Sequence, residues 1–480
     1  MNKIYSLKFH VTLYLSIFML LISAAILAPY LSYQKLSSEK KVNTMTDDKY
    51  YKEIDTLIDN AIASIPLPGL SVSVTNQEEN LYAMQYGKNI DSDSSFALGS
   101  TSKAITATAI LMLLEECRIN INALIRDYLS WVNPDCSITI LDLLNHTSGI
   151  STYEKIDNLK YSGNYGTYEY SNANYNLLAE IIETVTGDTF SHYIDKCIFS
   201  RIGMDNSFIL SNDTSQNIVQ GHKSFFGLLL PYKPIIPDKA TWIQAPSGYI
   251  CTSPTDMTAY LRFLLDYSHD HQQLLHLVKN TGVYVNNSPA VEGIYDDNGI
   301  YGLGWIYKNV NGIDILYHTG KLSTYNSLSV LIPQKNIGIS IMCSMGDFFV
   351  GTNLIEKLYE GIISILIDNG NVPSIQKNEY AKQHIAINMV LFVLIMICTL
   401  PAVLYSIQTS PFHPTILNVC TLALIHIAAP VFLIRVFPIL GIPYEVVTDF
   451  APDIFAILIG CSLMLFISGM WKLASLIILR

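Results

Sequence analysis

Charge is scarce in this chain. Asp, Glu, Lys and Arg make up 14% of its 480 residues, against about 25% in an ordinary soluble domain. Basic blocks are missing, and the formal net charge is −11. An acidic chain without Lys/Arg runs is a poor fit to nucleic acid. Low charge combined with 50% hydrophobic residues excludes an intrinsically disordered chain, which needs the opposite balance. The eight cysteines lack CxxC or comparable spacing, so neither a zinc ribbon nor a redox pair is read. Internal repeats and low-complexity tracts are also lacking, which excludes solenoids. Five cysteines precede residue 384: Cys117, Cys136, Cys197, Cys251 and Cys343. Their odd number leaves at least one unpaired, and they read mostly as small buried apolar residues.

Apolar length is what the chain has in excess. Its mean hydropathy is +0.30. The stretch 385–480 holds only Arg435, Glu445, Asp449, Asp453, Lys472 and Arg480 as charged residues. A bilayer span needs roughly 20 mostly apolar residues, and the tail offers three, over 385–407, 415–440 and 454–479. Pro411, Pro414, Pro443 and Pro452 punctuate the gaps. A fourth apolar stretch, 9–31, follows Lys3 and Lys8 and reads as a signal peptide or an uncleaved anchor. Pro29 would directly follow a cut after Ala28, which favours the anchor. Lys3 and Lys8 place the N-terminus in the cytoplasm and the body outside. Three further crossings return the C-terminus inside, beside Lys472 and Arg480. The expected organisation is an N-terminal signal or anchor segment (1–34), a folded body (35–370), a linker (371–384) and three transmembrane helices (385–480).

Within the body, Tyr51, Ile54, Leu57, Ile58 and Ile62 recur at helical spacing over 47–64. Residues 69–75 alternate as a strand and 80–86 can pair with it. An apolar helix is expected over 102–114. Four β-like runs follow at 303–307, 313–318, 327–332 and 337–343, and a helix over 348–367 closes the body. Strands at both ends with helices between predict one α/β fold, its sheet made from both termini around a helical insertion.

Three short strings carry chemistry. Ser100-Thr-Ser-Lys103 is an S-x-x-K sequence. Ser37/Lys40 and Ser374/Lys377 share the spacing but lie in polar juxtamembrane stretches. Ser100 alone opens an apolar helix, after Phe96-Ala-Leu-Gly99. One turn brings Ser100 and Lys103 to the same side, and a desolvated lysine can activate a hydroxyl. Tyr170-Ser-Asn172 is Y-x-N, as are Tyr284/Asn286 and Tyr307/Asn309. Only Tyr170 is followed at once by a helical pattern, 174–186, ending at Gly187. A tyrosine near a lysine can act as phenolate base or proton shuttle. His318-Thr-Gly320 ends an alternating strand, expected to be an edge strand that hydrogen-bonds a peptide-like substrate.

In this order, the three strings resemble the serine hydrolases of the class C β-lactamase and penicillin-binding-protein-like family, with its S-x-x-K, Y-x-N and K/H-T-G. The stretches Pro68–Val74, Leu143-Leu-Asn-His-Thr-Ser-Gly149, Pro246–Ser253 and Gly302-Leu-Gly-Trp305 agree with that family. The resemblance spans residues 48–365. It implies a β-lactamase-like sandwich, an antiparallel sheet flanked by helices with a helical subdomain. It also implies an acyl-enzyme on Ser100, with Lys103 and Tyr170 sharing the base role. Asn172 would hold a substrate amide, and His318, Thr319 and Gly320 would line the far wall. The backbone N–H groups of Ser100 and Lys321 would form an oxyanion hole. No cofactor and no metal are implied.

His318 stands where true β-lactamases usually carry Lys, so a permanent cation for a substrate carboxylate is missing; this favours peptidase, amidase or esterase members. The three-helix tail is similar in plan to the prodrug-activating peptidases, the colibactin-activating enzyme among them. The implied protein is a multi-pass enzyme of a bacterial inner membrane, facing the periplasm or exterior. Its partners would be a small-molecule or peptide substrate and the lipid bilayer, not nucleic acid. A D-amino-acid or cell-wall peptidase, an esterase, and a non-catalytic wall-binding or sensor protein on the same fold are the alternatives. His146 reads as structural. His269, His271 and His276 lack a partnering Cys or acidic set for a metal. His426 and Arg435 fall in a membrane segment, where Arg435 snorkels.

Overall fold

The computed structural model describes residues 20, 23–24, 26–33, 39–44, 49–160, 163–214, 218–234, 236–238, 241–269, 273–285, 299–407 and 415–478. Most of the N-terminal apolar stretch, Ser37, Asn286, His271 and the side chain of His269 lie outside them. The chain divides into two compact units. One comprises 36–223 and 231–377. The other comprises 224–230, 378–480 and the N-terminal segment to residue 35.

The larger unit is built on a nine-stranded antiparallel sheet. Its strands are β1 (Glu39–Thr44), β2 (Gly69–Thr75), β3 (Asn80–Gly87), β4 (Val283–Tyr284), β5 (Ile300–Gly302), β6 (Trp305–Val310), β7 (Ile313–Lys321), β8 (Asn326–Ile332) and β9 (Ile337–Cys343). Their order in the sheet is β1-β3-β2-β9-β8-β7-β6-β5-β4. Both ends of the body thus meet at the β2–β9 pair, with Val72 opposite Ile341. Every residue of β2 and β8 is buried, so both faces of the central sheet are covered. Helices α1 (Lys49–Ser64) and α5 (Gly351–Leu366) pack on each other, with Leu57 against Gly361. A Cβ at Gly361 would lie 2.4 Å from Leu57 Cδ2, so glycine sets their close approach. Helix α4 (Pro254–His269) places Leu261 against Gly338 of β9. Between the two ends of the sheet run α2 (Ser102–Glu115) and α3 (Asn172–Thr186), the helices that carry the site. Helix α2 is buried at every position from Ser102 to Leu113, as befits a helix apolar on all sides.

Several expectations change. Strand β7 is interior, paired with both β6 and β8. Its pairing with β6 stops at Tyr317, however, so His318–Lys321 overhang that neighbour and keep a local free edge. The strand expected from residue 303 begins at Trp305, because Leu303 (φ +55) and Gly304 (φ +79) form a left-handed turn. Helix α3 starts at Asn172 rather than 174, and α5 at Gly351 rather than 348. All eight cysteines are free; Cys251 and Cys343 are buried as expected, but Cys117 is exposed and Cys136 and Cys197 are half-buried.

Among its described residues the smaller unit holds three helices long and apolar enough to cross a membrane: α6 (Glu379–Ile407), α7 (Ile416–Ile439) and α8 (Pro452–Ile478). Helix α6 begins inside the stretch expected as a linker, because Tyr380 and Ala381 are buried and extend the helix into the polar residues. In α7 a π-turn at Leu424–Ala428 contains the buried His426. Its Nε2 accepts from the Tyr405 hydroxyl at 2.8 Å, and its Nδ1 donates to the Leu465 carbonyl at 2.6 Å. Gly469 makes room for that ring: a Cβ there would lie 2.4 Å from His426 Cβ. Segment 224–230 is a tight turn with Phe226 (φ +54) and Gly227 (φ +80) left-handed. Side chains from three distant segments hold it. Asp453 accepts from the Phe226 N–H at 2.8 Å, and the Asn388 amide donates to the Phe226 carbonyl at 2.9 Å. Tyr380 and Ser32 donate to the Gly227 carbonyl at 3.2 and 2.9 Å.

Candidate active site

Ser100 lies in a 3₁₀ turn, Gly99–Thr101, that runs directly into α2. The turn is fastened on two sides. Leu98 N–H donates to the Ile250 carbonyl at 2.9 Å, and Ile250 N–H donates to Ser102 Oγ at 3.2 Å. On the other side Ser327 Oγ donates to the Leu98 carbonyl at 2.5 Å. Gly99 takes φ +55, and a Cβ there would sit 2.7 Å from Lys321 N. Only glycine allows the serine turn to come this close to the end of β7. Gly320 is tighter still: a Cβ would lie 1.8 Å from the Leu98 oxygen.

Lys103 is wholly buried. Its Nζ lies 3.1 Å from Ser100 Oγ, 2.6 Å from Asn172 Oδ1 and 2.7 Å from the Ser247 carbonyl. None of these partners is charged. Burial therefore pushes the lysine pKa well below its ordinary range. In its neutral form the amine can direct its two hydrogens to Asn172 and Ser247 and turn its lone pair to the serine hydroxyl. Tyr170 donates its hydroxyl to the same Ser100 Oγ at 2.7 Å. Its ring also lies 4.7 Å from Lys103 Nζ. Burial raises the Tyr170 pKa, so the resting phenol keeps its proton. Of the two roles open to Tyr170 from sequence, phenolate base or proton shuttle, a protonated phenol beside a buried amine suits the shuttle. Ser100 itself is partly exposed and open to a ligand.

Asn172 is in place, but its Oδ1 is committed to Lys103, which leaves the Nδ2 for a substrate. His318 is buried. Its Nδ1 donates to the Thr319 carbonyl at 2.7 Å and its Nε2 accepts from the Tyr301 hydroxyl at 3.2 Å. Burial, with any charge on Lys103 adding to it, pushes the His318 pKa down to about 3. Thr319 is half-buried and Gly320 buried on the same overhang. Lys321 is half-buried, and its ammonium pairs with Glu356 at 2.7 Å. Sequence reasoning missed two participants. The Ser247 carbonyl was invisible because a main-chain acceptor has no side-chain signature. Tyr301 was one of 30 tyrosines. His146, expected to be structural, packs its ring 4.4 Å from that of Tyr170.

The family model described as Beta-lactamase matches residues 54–349. Among curated relatives, Protein flp of Staphylococcus aureus (strain MRSA252) is 24% identical over 390 residues, covering 74% of this chain and 74% of that protein. Among solved structures, the octameric penicillin-binding protein homologue from Pyrococcus abyssi superposes with a TM-score of 0.56 at 21% identity, over 67% of this chain and 78% of that one. A class C β-lactamase superposes with a TM-score of 0.55 at 16% identity, over 67% and 98%. At these identities the structures share the fold, the β-lactamase-like sandwich of antiparallel sheet and helices that the sequence resemblance implied.

Proposed function

Because the chain belongs to the Beta-lactamase family, we propose that it is a serine hydrolase acting through an acyl-enzyme on Ser100. One observation carries this reading: an uncharged-partner lysine and a protonated tyrosine meet on one partly exposed serine oxygen, at 3.1 and 2.7 Å. Lys103 takes the proton of Ser100 as the oxygen attacks a carbonyl carbon. The N–H groups of Ser100 and Lys321 face the developing oxyanion. Tyr170 relays a proton to the leaving group as the tetrahedral intermediate collapses. A water, activated by the same pair, then releases the acyl group.

The substrate is an amide, peptide or ester rather than a β-lactam. Two observations support this. His318 occupies the third-motif position as a buried neutral imidazole, and the Lys321 ammonium is directed to Glu356. Neither presents a cation to a substrate carboxylate. The three apolar helices support a membrane-anchored enzyme, with the catalytic unit on the outer side as the lysines at 3 and 8 indicate. A fluorophosphonate probe tests the reading. It should label the full-length protein in membranes, and Ser100→Ala should abolish the label, whereas Ser37→Ala and Ser374→Ala should not. Labelling that survives in Ser100→Ala would sink the assignment.

A further inference from the structure

His146 sits at the end of the short helix Ile140–Leu144 with a left-handed backbone, φ +57. Among residues other than glycine, asparagine, aspartate and histidine adopt that conformation most often. Its main-chain carbonyl accepts the Glu169 N–H at 2.8 Å. Its Nδ1 accepts the Ser171 N–H at 3.2 Å and lies 3.0 Å from the Asn174 amide nitrogen. The two backbone amides that flank Tyr170 therefore both end on His146. Because Nδ1 accepts, the ring proton is on Nε2. That nitrogen is fully buried and has no hydrogen-bond partner among the described residues. The imidazole is packed among aromatic rings instead, 4.4 Å from Tyr170, 4.7 Å from Tyr301 and 5.3 Å from Tyr175.

A histidine used only to fill space would not need this. Its position costs a buried N–H with no acceptor among the described residues. What it gains is an acceptor at a single point, facing the amide next to Tyr170. We propose that His146 is a positioning residue for the hydrolytic reaction: through Nδ1 and its carbonyl it clamps both sides of Tyr170 and so sets the phenol on Ser100 Oγ. This rests on the serine-hydrolase reading above. His146 touches neither the nucleophile nor the substrate, and it acts only through Tyr170.

Two side-chain replacements separate the acceptor from the ring. In His146→Asn the Oδ1 takes the place of Nδ1 on the same carbon, and asparagine tolerates the left-handed backbone. His146→Gln fills more volume but moves its amide one bond further out, away from the Ser171 N–H. Hydrolysis of p-nitrophenyl acetate by the full-length protein in detergent is the assay. His146→Asn should keep kcat within about fivefold of wild type. His146→Gln should lower kcat by about 30-fold or more, with KM changed by less than about threefold. In a Tyr170→Phe background the same Gln substitution should cost less than about threefold, since its effect passes through the lost hydroxyl. Equal kcat for the Asn and Gln variants, or a full Gln effect in the Tyr170→Phe background, would overturn the proposal. Wild type and Ser100→Ala run in parallel: activity that is independent of Ser100 would instead defeat the hydrolase reading itself.

Discussion

Tyr301 and His318 meet hydroxyl to Nε2 at 3.2 Å, and because Nδ1 gives its proton to the Thr319 carbonyl, the neutral ring accepts from the tyrosine there. With its pKa pushed down to about 3, His318 stays neutral across the physiological range. The hydrolysis rate should therefore be flat or rise from about pH 6 to 8, with no limb belonging to His318. His318→Gln should keep at least about a tenth of wild-type kcat on uncharged esters. A pH limb near 6.5 that vanishes in His318→Gln would show that the ring takes part in proton transfer.

The same depressed pKa predicts acid sensitivity of the fold. In the unfolded chain a histidine titrates near about 6.5, whereas folded His318 holds out to about 3. Between those values the unfolded state binds more protons, so stability falls as pH falls, by up to about 1.4 kcal/mol per pH unit for this one group. His146 is depressed for the same reason and adds in the same direction. The melting temperature should drop between about pH 6 and 4, and less steeply in His318→Gln. Equal slopes in the two proteins would contradict the buried neutral ring.

Lys103→Ala should lower turnover by about 10²–10⁴-fold, because Ser100 loses its base. Lys103→Arg separates base from cation. Arginine stays charged even when buried, so it should be as inactive as alanine. Near-normal rates in Lys103→Arg would mean that a positive charge, not a proton acceptor, is what Ser100 requires.

Gly320→Ala tests the close approach of β7 to the serine turn. The new Cβ would meet the Leu98 oxygen at 1.8 Å and Ser327 Oγ at 2.4 Å, and the first of these is backbone. The turn must move, at a cost of about 1–3 kcal/mol in stability. Probe labelling should slow by at least about 100-fold, as small misplacements of a nucleophile do. Gly460→Ala, where a Cβ meets nothing within 4 Å, serves as the control.

Sidedness is tested with thiols. Cys117 is exposed and should react with an impermeant maleimide on intact cells. In a Cys117→Ser background, Thr448→Cys should also react and Arg480→Cys should not. The reverse pattern would place the catalytic unit in the cytoplasm.

Much of this was legible in the sequence, and the reasons are local. Strands 69–75 and 337–343 have the expected bounds because their apolar residues alternate with small ones, Ser71, Ser73, Gly338 and Ser340, which fit a second buried face. Ser100 and Lys103 are one turn apart, so their meeting needed no tertiary knowledge. Tyr170 lies 70 residues from Ser100, and its partnership came through resemblance rather than spacing. What escaped were properties of the assembled fold. The Ser247 carbonyl is chemically the same as every other carbonyl. The protonation of Tyr170 depends on how dry its surroundings are, and a string of letters carries no dielectric. The local free edge at His318–Lys321 exists only because β6 pairs no further than Tyr317.

The turn at 224–230 sets a schedule for synthesis. The Phe226 N–H finds its acceptor on Asp453, 227 residues later. At about 5–20 residues per second, this interval is on the order of ten to forty seconds. Throughout it, the Phe226 N–H must be satisfied by water or by a chaperone, although Ser32, Tyr380 and Asn388 are already made. A ribosome that stalled before residue 453 would leave the catalytic strands complete and this turn lacking one of its fastenings. The turn is therefore completed only once α8 has begun to be made, however early the serine, lysine and tyrosine have come together.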